Sequence, residues 1–133
     1  MTSKVVYQEG LRTKATHIKS SNTITTDAPI DNQGKGEAFS PTDLVATALA
    51  SCMLTIMGIK SKQLNISLEG TTAKVQKEMA SEPRRISKII IHIKASISID
   101  TKTRIILEKS ALACPVAKSL SPELISKVNF SWQ

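Results

Sequence analysis

Aromatic residues are scarce in this chain: Tyr7, Phe39, Phe130 and Trp132 are the only four in 133 positions. They do not interleave with the basic residues, so the stacking platform that holds single-stranded nucleic acid is missing. Acids are also few, eleven Asp and Glu against eighteen Lys and Arg, for a formal net charge of +7. That balance suits anionic partners. The basic residues are nevertheless spread along the chain, often beside acids, which reads as a solvated surface; no nucleic-acid partner is expected. Two cysteines cannot make the disulfide framework of a small secreted domain. The opening "MTSKVVYQEG" offers no apolar stretch for a signal peptide. The expected location is therefore a reducing cytoplasm, where a cysteine pair is more often redox-active than structural. No window reads as reaching the apolar length of a membrane span, and no membrane partner is expected. Two histidines complete the shortages. Cys52 and Cys114 lie in separate elements without a paired short-range ligand, and His92 shares a polar strand face with Lys88 and Lys94, so no metal site is expected.

What remains is enough for one ordinary domain with a core, residues 1–133. The first third reads as short extended runs, "KVVYQEG", "LRTKATHI" and "TITTD", and residues 27–39 as a loop rich in turn formers. "SPTD" then offers Ser40 as N-cap, Pro41 at the first helical position and Asp43 three residues on, in place of the usual Glu or Gln of a capping box. A helix is expected from about 41 to about 60, with Val45, Leu49, Cys52 and Ile56 at helical spacing and most of its surface buried. "QLNISLEG" alternates as a strand does, with a phase change and a bulge expected near Gly70. "ISKIIIHIKASISI" is the strongest strand pattern, Ile89 to Ile99 on one face. Asp100 caps a second helix that must stop before Pro115, a short helix restarts with Cys114 at its N-cap, and "ELISKVNFSW" closes the chain as a strand. One covered and one wet sheet face imply an α+β fold with an antiparallel sheet and helices on one side.

Taken alone, Cys52 reads as a small core hydrophobe, without help from a helix N-terminus. To ionise it would need a cation supplied by the fold, for which Arg12 is a candidate. Cys114, at a helix start, is expected to have a lowered pKa. A Cys–His hydrolase using His17 would need an oxyanion hole and an orienting group that the sequence does not name.

Read together, "SPTDLVATALASC" and "ACPVAKSL", with cysteines 62 positions apart, resemble the two signatures of the OsmC/Ohr family, the osmotically inducible and organic hydroperoxide resistance proteins. "GLRTKATH" leading to "TDAP" resembles one OsmC-like branch. The resemblance implies an OsmC-like fold with a long buried central helix, assembled as an intertwined homodimer. It also implies a thiol-dependent peroxidase in oxidative-stress defence. Cys52 would attack an organic hydroperoxide, Cys114 would capture the sulfenic acid as a disulfide, and Arg12 would hold the thiolate. No bound cofactor is implied; the reductant would be an external dithiol, lipoyl-linked in some members. One departure stands out. The family's peroxidases carry a glutamate directly after the proline of the first motif, where it helps orient the arginine, and this chain has Thr42. Asp43 is nine residues from Cys52 and so faces the opposite side of a helix; Glu37, from the loop, is the expected substitute. The rival reading is a noncatalytic OsmC-fold binder of a small apolar or thiol-bearing ligand, with both cysteines kept as packing.

Overall fold

The computed structural model describes all residues, Met1–Gln133. Two compact units share the chain, Met1–Val45 and Ala46–Gln133.

In the first unit, β1 (Ser3–Gln8), β2 (Arg12–His17) and β3 (Thr23–Asp27) form an antiparallel meander in the order β1-β2-β3. The register sets Arg12 directly opposite Asp27 and Thr13 opposite Thr26, and the two threonine hydroxyls are hydrogen-bonded. The loop after β3 contains a single 3-10 turn, Ile30–Asn32, which its composition does not announce. Gly34 lets this loop fold back on itself, because a Cβ there would lie 1.8 Å from the Ala28 carbonyl oxygen.

Helix α1 runs over Pro41–Gln63, three residues past the expected end, and the division between units falls within it. Its start is the capping box read from the sequence. The Asp43 amide donates to Ser40 Oγ at 3.0 Å, and the Ser40 amide donates to the Asp43 carboxylate at 3.0 Å. Ser40→Ala is therefore expected to lower stability by about 1 kcal/mol, read as a lower urea midpoint at unchanged slope. An unchanged midpoint would show that the cap contributes nothing.

The second unit is built on β4 (Thr72–Ala80), β5 (Arg85–Lys94) and β6 (Ile125–Ser131), in that spatial order. β4 and β5 are antiparallel, whereas β6 joins β5 in parallel. The sheet is thus mixed rather than wholly antiparallel, because α2 (Thr101–Leu112) and α3 (Pro115–Ser119) lie between β5 and β6 and supply the crossover that parallel strands require. Ile89, Ile91 and Ile93 of β5 are buried against Ala46, Leu49, Ala50, Met53 and Met57 of α1 and Leu107 and Ala111 of α2. The opposite face of the sheet carries Lys74, His92 and Lys127, the polar face that the alternation requires.

Four expectations need correction here. "QLNISLEG" is not a strand: Gln63 ends α1, and the following residues bond back to it, the Ile66 amide to the Ser61 carbonyl at 2.9 Å. Those helix-terminal carbonyls capture the segment before any sheet partner is available. The bulge accordingly lies between Glu78 and Met79, not near Gly70. The buried stripe of α1 is Ala46, Leu49, Ala50, Met53, Met57 and Ser61, rotated from the expected Val45–Leu49–Cys52–Ile56 line, because the methionines rather than the cysteine face Ile89 and its neighbours. Finally, α1 does have the length and apolar composition of a membrane span; Leu49, Met53 and Met57 are instead core residues of the second unit.

Candidate functional site

Two clusters of chemically active side chains emerge, one in each unit. The second unit holds both thiols, free and unpaired by any disulfide. The rotation of the α1 stripe puts Cys52 at the margin of the buried face, half-buried rather than enclosed. Cys114 has 0% exposure. Its extended backbone, imposed by Pro115, turns the side chain over the first turn of α3, where Sγ accepts a hydrogen bond from the Ala117 amide at 3.4 Å. Cys52 packs against the core cluster that contains Cys114 and is near enough to influence its ionisation.

Burial pushes the Cys114 thiol above its ordinary pKa, and the neighbouring Cys52 adds to the rise; the Ala117 amide opposes it with a smaller effect. The expectation of a lowered pKa from the N-cap position is therefore overturned. The Ala117 and Val116 amides of a five-residue helix do not offset removal of the charged form from water. Cys114 rests as a protonated thiol at neutral pH, and Cys52 is the less buried of the two cysteines.

The first unit holds Arg12. Its Nε donates to Asp27 Oδ1 at 2.7 Å and its Nη2 to Asp27 Oδ2 at 2.8 Å, a two-pronged pair. The Asp27 side chain is 0% exposed and that of Arg12 is 28% exposed. Asp27 Oδ2 accepts a third hydrogen bond, from the Glu37 amide at 3.1 Å. Hydrogen bonding to Arg12 holds the Asp27 carboxyl below its usual range against the opposing effect of burial, and the same pairing raises the Arg12 pKa further. Both groups stay ionised throughout the physiological range. Glu37 does approach, with its carboxylate 3.5 Å from Arg12 Nη2, but its side chain is 67% exposed.

Asp27 is the residue that sequence reading missed. Its signal was the pairing of two opposite charges across a hairpin, visible only once the register of "LRTKATH" against "TITTD" is fixed. His17, the other candidate, has its Nδ1 engaged by the Ser20 hydroxyl at 2.6 Å in the turn after β2. His92 pairs with Asn129 at 3.3 Å. Nowhere do three His, Cys, Asp or Glu side chains gather as a metal set.

Comparison with known proteins supplies a frame for both clusters. Residues 34–128 match the family model described as OsmC-like protein. The crystal structure of a proposed osmotic stress induced and detoxification response protein from Psychrobacter arcticus 273-4 is 58% identical, with a TM-score of 0.96 over 98% of this chain and 95% of that one. An organic hydroperoxide resistance protein OsmC from Legionella pneumophila shares the fold at 16% identity, with a TM-score of 0.77 over 98% and 97% of the two chains. An OsmC-like protein from Mycoplasma pneumoniae does so at 18% identity, with a TM-score of 0.80 over 98% and 94%. No curated protein sequence matches significantly.

Proposed function

Because the chain belongs to the OsmC-like protein family, we propose that it is a thiol-dependent peroxidase that reduces organic hydroperoxides in oxidative-stress defence. The observation that carries this reading is the pair of free thiols, Cys114 buried in the core cluster and Cys52, half-buried, packed against that same cluster. A binder that kept its cysteines as packing would not require them to meet.

In the proposed reaction the Cys52 thiolate attacks the outer peroxide oxygen. The O–O bond breaks, the alkoxide takes up a proton and leaves as the alcohol, and Cys52 becomes a sulfenic acid. Arg12, in the role that the family resemblance gives it, is the cation that favours the thiolate. Cys114 then gives up its proton and attacks the Cys52 sulfur, expelling water and forming the disulfide. This capture precedes further oxidation, which is irreversible. An external dithiol, lipoyl-linked in some relatives by the same resemblance, returns two electrons and two protons. Its thiolate meets the accessible Cys52 sulfur and expels Cys114. The raised pKa of Cys114 makes it a slow leaving group, so reduction is the slower half of the cycle. Ile56, one turn along α1 from Cys52 and packed partly against the core, favours an alkyl peroxide over hydrogen peroxide.

A homodimer fits the surfaces of both units. Val5, Tyr7 and Ile24 are exposed in the first, and Ile59, Ile105 and Leu112 in the second, apolar side chains that a second copy of the chain would cover. The proposed setting is the reducing cytoplasm.

The test mixes fully reduced protein with one equivalent of cumene hydroperoxide and follows free thiols, intact mass and sedimentation. Loss of both thiols within seconds, a mass two hydrogens lighter, a slower response to hydrogen peroxide and a particle of twice the chain mass are expected. Two thiols that persist for hours would overturn the peroxidase reading in favour of a noncatalytic ligand binder.

A further inference from the structure

We infer that Asp27 is the positioning residue of this site, and that its clamp holds Arg12 in one orientation whether the cysteines are reduced or joined. The inference rests on the peroxidase reading for its catalytic consequence, but the clamp itself is a property of the first unit alone.

Three observations carry it. The carboxylate takes two of the guanidinium's five N–H donors in a fork, at 2.7 and 2.8 Å, from a side chain with 0% exposure. Such bidentate pairs fix angle as well as distance. The two residues also face each other across the β2–β3 ladder, so the backbone register sets their separation. Lastly, the amide of Glu37 caps the same carboxylate at 3.1 Å, which leaves Asp27 little freedom to release the arginine. The edge formed by Nη1 is what remains for another acceptor.

This arrangement answers the departure at Thr42. A carboxylate at that position would ride on α1, the helix that bears Cys52. Asp27 instead belongs to the same sheet as Arg12, and no bond of the clamp involves a residue of the cysteine-bearing unit. Glu37 is the weaker partner, since its carboxylate stands 3.5 Å away and is mostly solvated, and exposed pairs of this kind contribute little.

The experiment combines a direct reading of Arg12 with a reading of its effect. In nitrogen-15 spectra of wild-type protein, assigned by loss in Arg12→Gln, a slowly exchanging Arg12 Nε–H signal is expected at one position in both reduced and peroxide-treated samples. Asp27→Asn should abolish its protection, while Glu37→Gln should leave it in place. In single-turnover reaction with cumene hydroperoxide, Asp27→Asn should slow Cys52 oxidation by about a hundredfold, the order expected for a misaligned catalytic cation. Glu37→Gln should slow it by less than about threefold. Introduced into an Arg12→Gln background, Asp27→Asn should have no further effect, because it acts only through the arginine. A further loss in that background would assign Asp27 a merely structural part and overturn the inference. So would an Nε–H signal that shifts or vanishes on oxidation, or a Glu37→Gln loss as large as that of Asp27→Asn. Should wild-type thiols ignore peroxide altogether, the peroxidase reading fails, and the Nε–H signal still decides the clamp.

Discussion

Cys52→Ser is expected to reduce peroxide consumption to the background rate, with Cys114 left as a free thiol after exposure to cumene hydroperoxide. Cys114→Ser should behave differently. Its Cys52 should still react once, giving a protein heavier by one oxygen, and then continue to the irreversible acids under excess peroxide, because nothing captures the sulfenic acid. The asymmetry follows from burial. Cys52 lies at the edge of the α1 stripe and is partly open, whereas Cys114 is enclosed and its thiol is pushed toward the protonated form. Titrating each variant with peroxide and weighing the product separates the roles. If Cys52→Ser consumed peroxide as fast as Cys114→Ser, the assignment of attacking and resolving sulfurs would be wrong.

Leu107→Ala should produce the largest loss of stability among conservative single changes, about 3 kcal/mol. Leu107 has 0% exposure and belongs to the cluster formed by α1, β5 and α2. Truncation there leaves a cavity ringed by side chains held by three different elements, which cannot all move inward. The same helix ends two residues before Cys114, so looser packing of α2 should also slow closure of the Cys52–Cys114 disulfide. Urea unfolding at fixed protein concentration reads the first effect, and single-turnover mass analysis reads the second. A midpoint shift equivalent to less than about 1 kcal/mol would show that Leu107 is not part of a close-packed core.

Much of the fold was legible in the chain. Ser40, Pro41 and Asp43 announced the start of α1, Asp100 the start of α2, and Cys114-Pro115 the break before α3, because capping and proline geometry act within four residues of sequence. The isoleucines of β5 announced its buried face for the same local reason. "QLNISLEG" misled because alternation is necessary for a half-buried strand but not sufficient. Its amides were claimed by the end of α1 before a ladder could form. The parallel pairing of β6 was likewise invisible, since nothing in "ISKVNFS" states which neighbour or direction it will take.

The functional residues divide in a similar way. By itself the sequence determined that two cysteines lie at defined helical positions, that the chain resembles the OsmC/Ohr family, and that an arginine stands in the second strand. These are matters of residue identity and local spacing. Only the tertiary structure decided that Cys52 is partly open and Cys114 is not, that burial outweighs the N-cap at Cys114, and that Asp27 grips the guanidinium more closely than Glu37 does. Each of those depends on how much water surrounds a group and which distant residue the register delivers beside it. Solvation and cross-strand register are set by packing between segments far apart in the chain, and no short stretch of sequence encodes them.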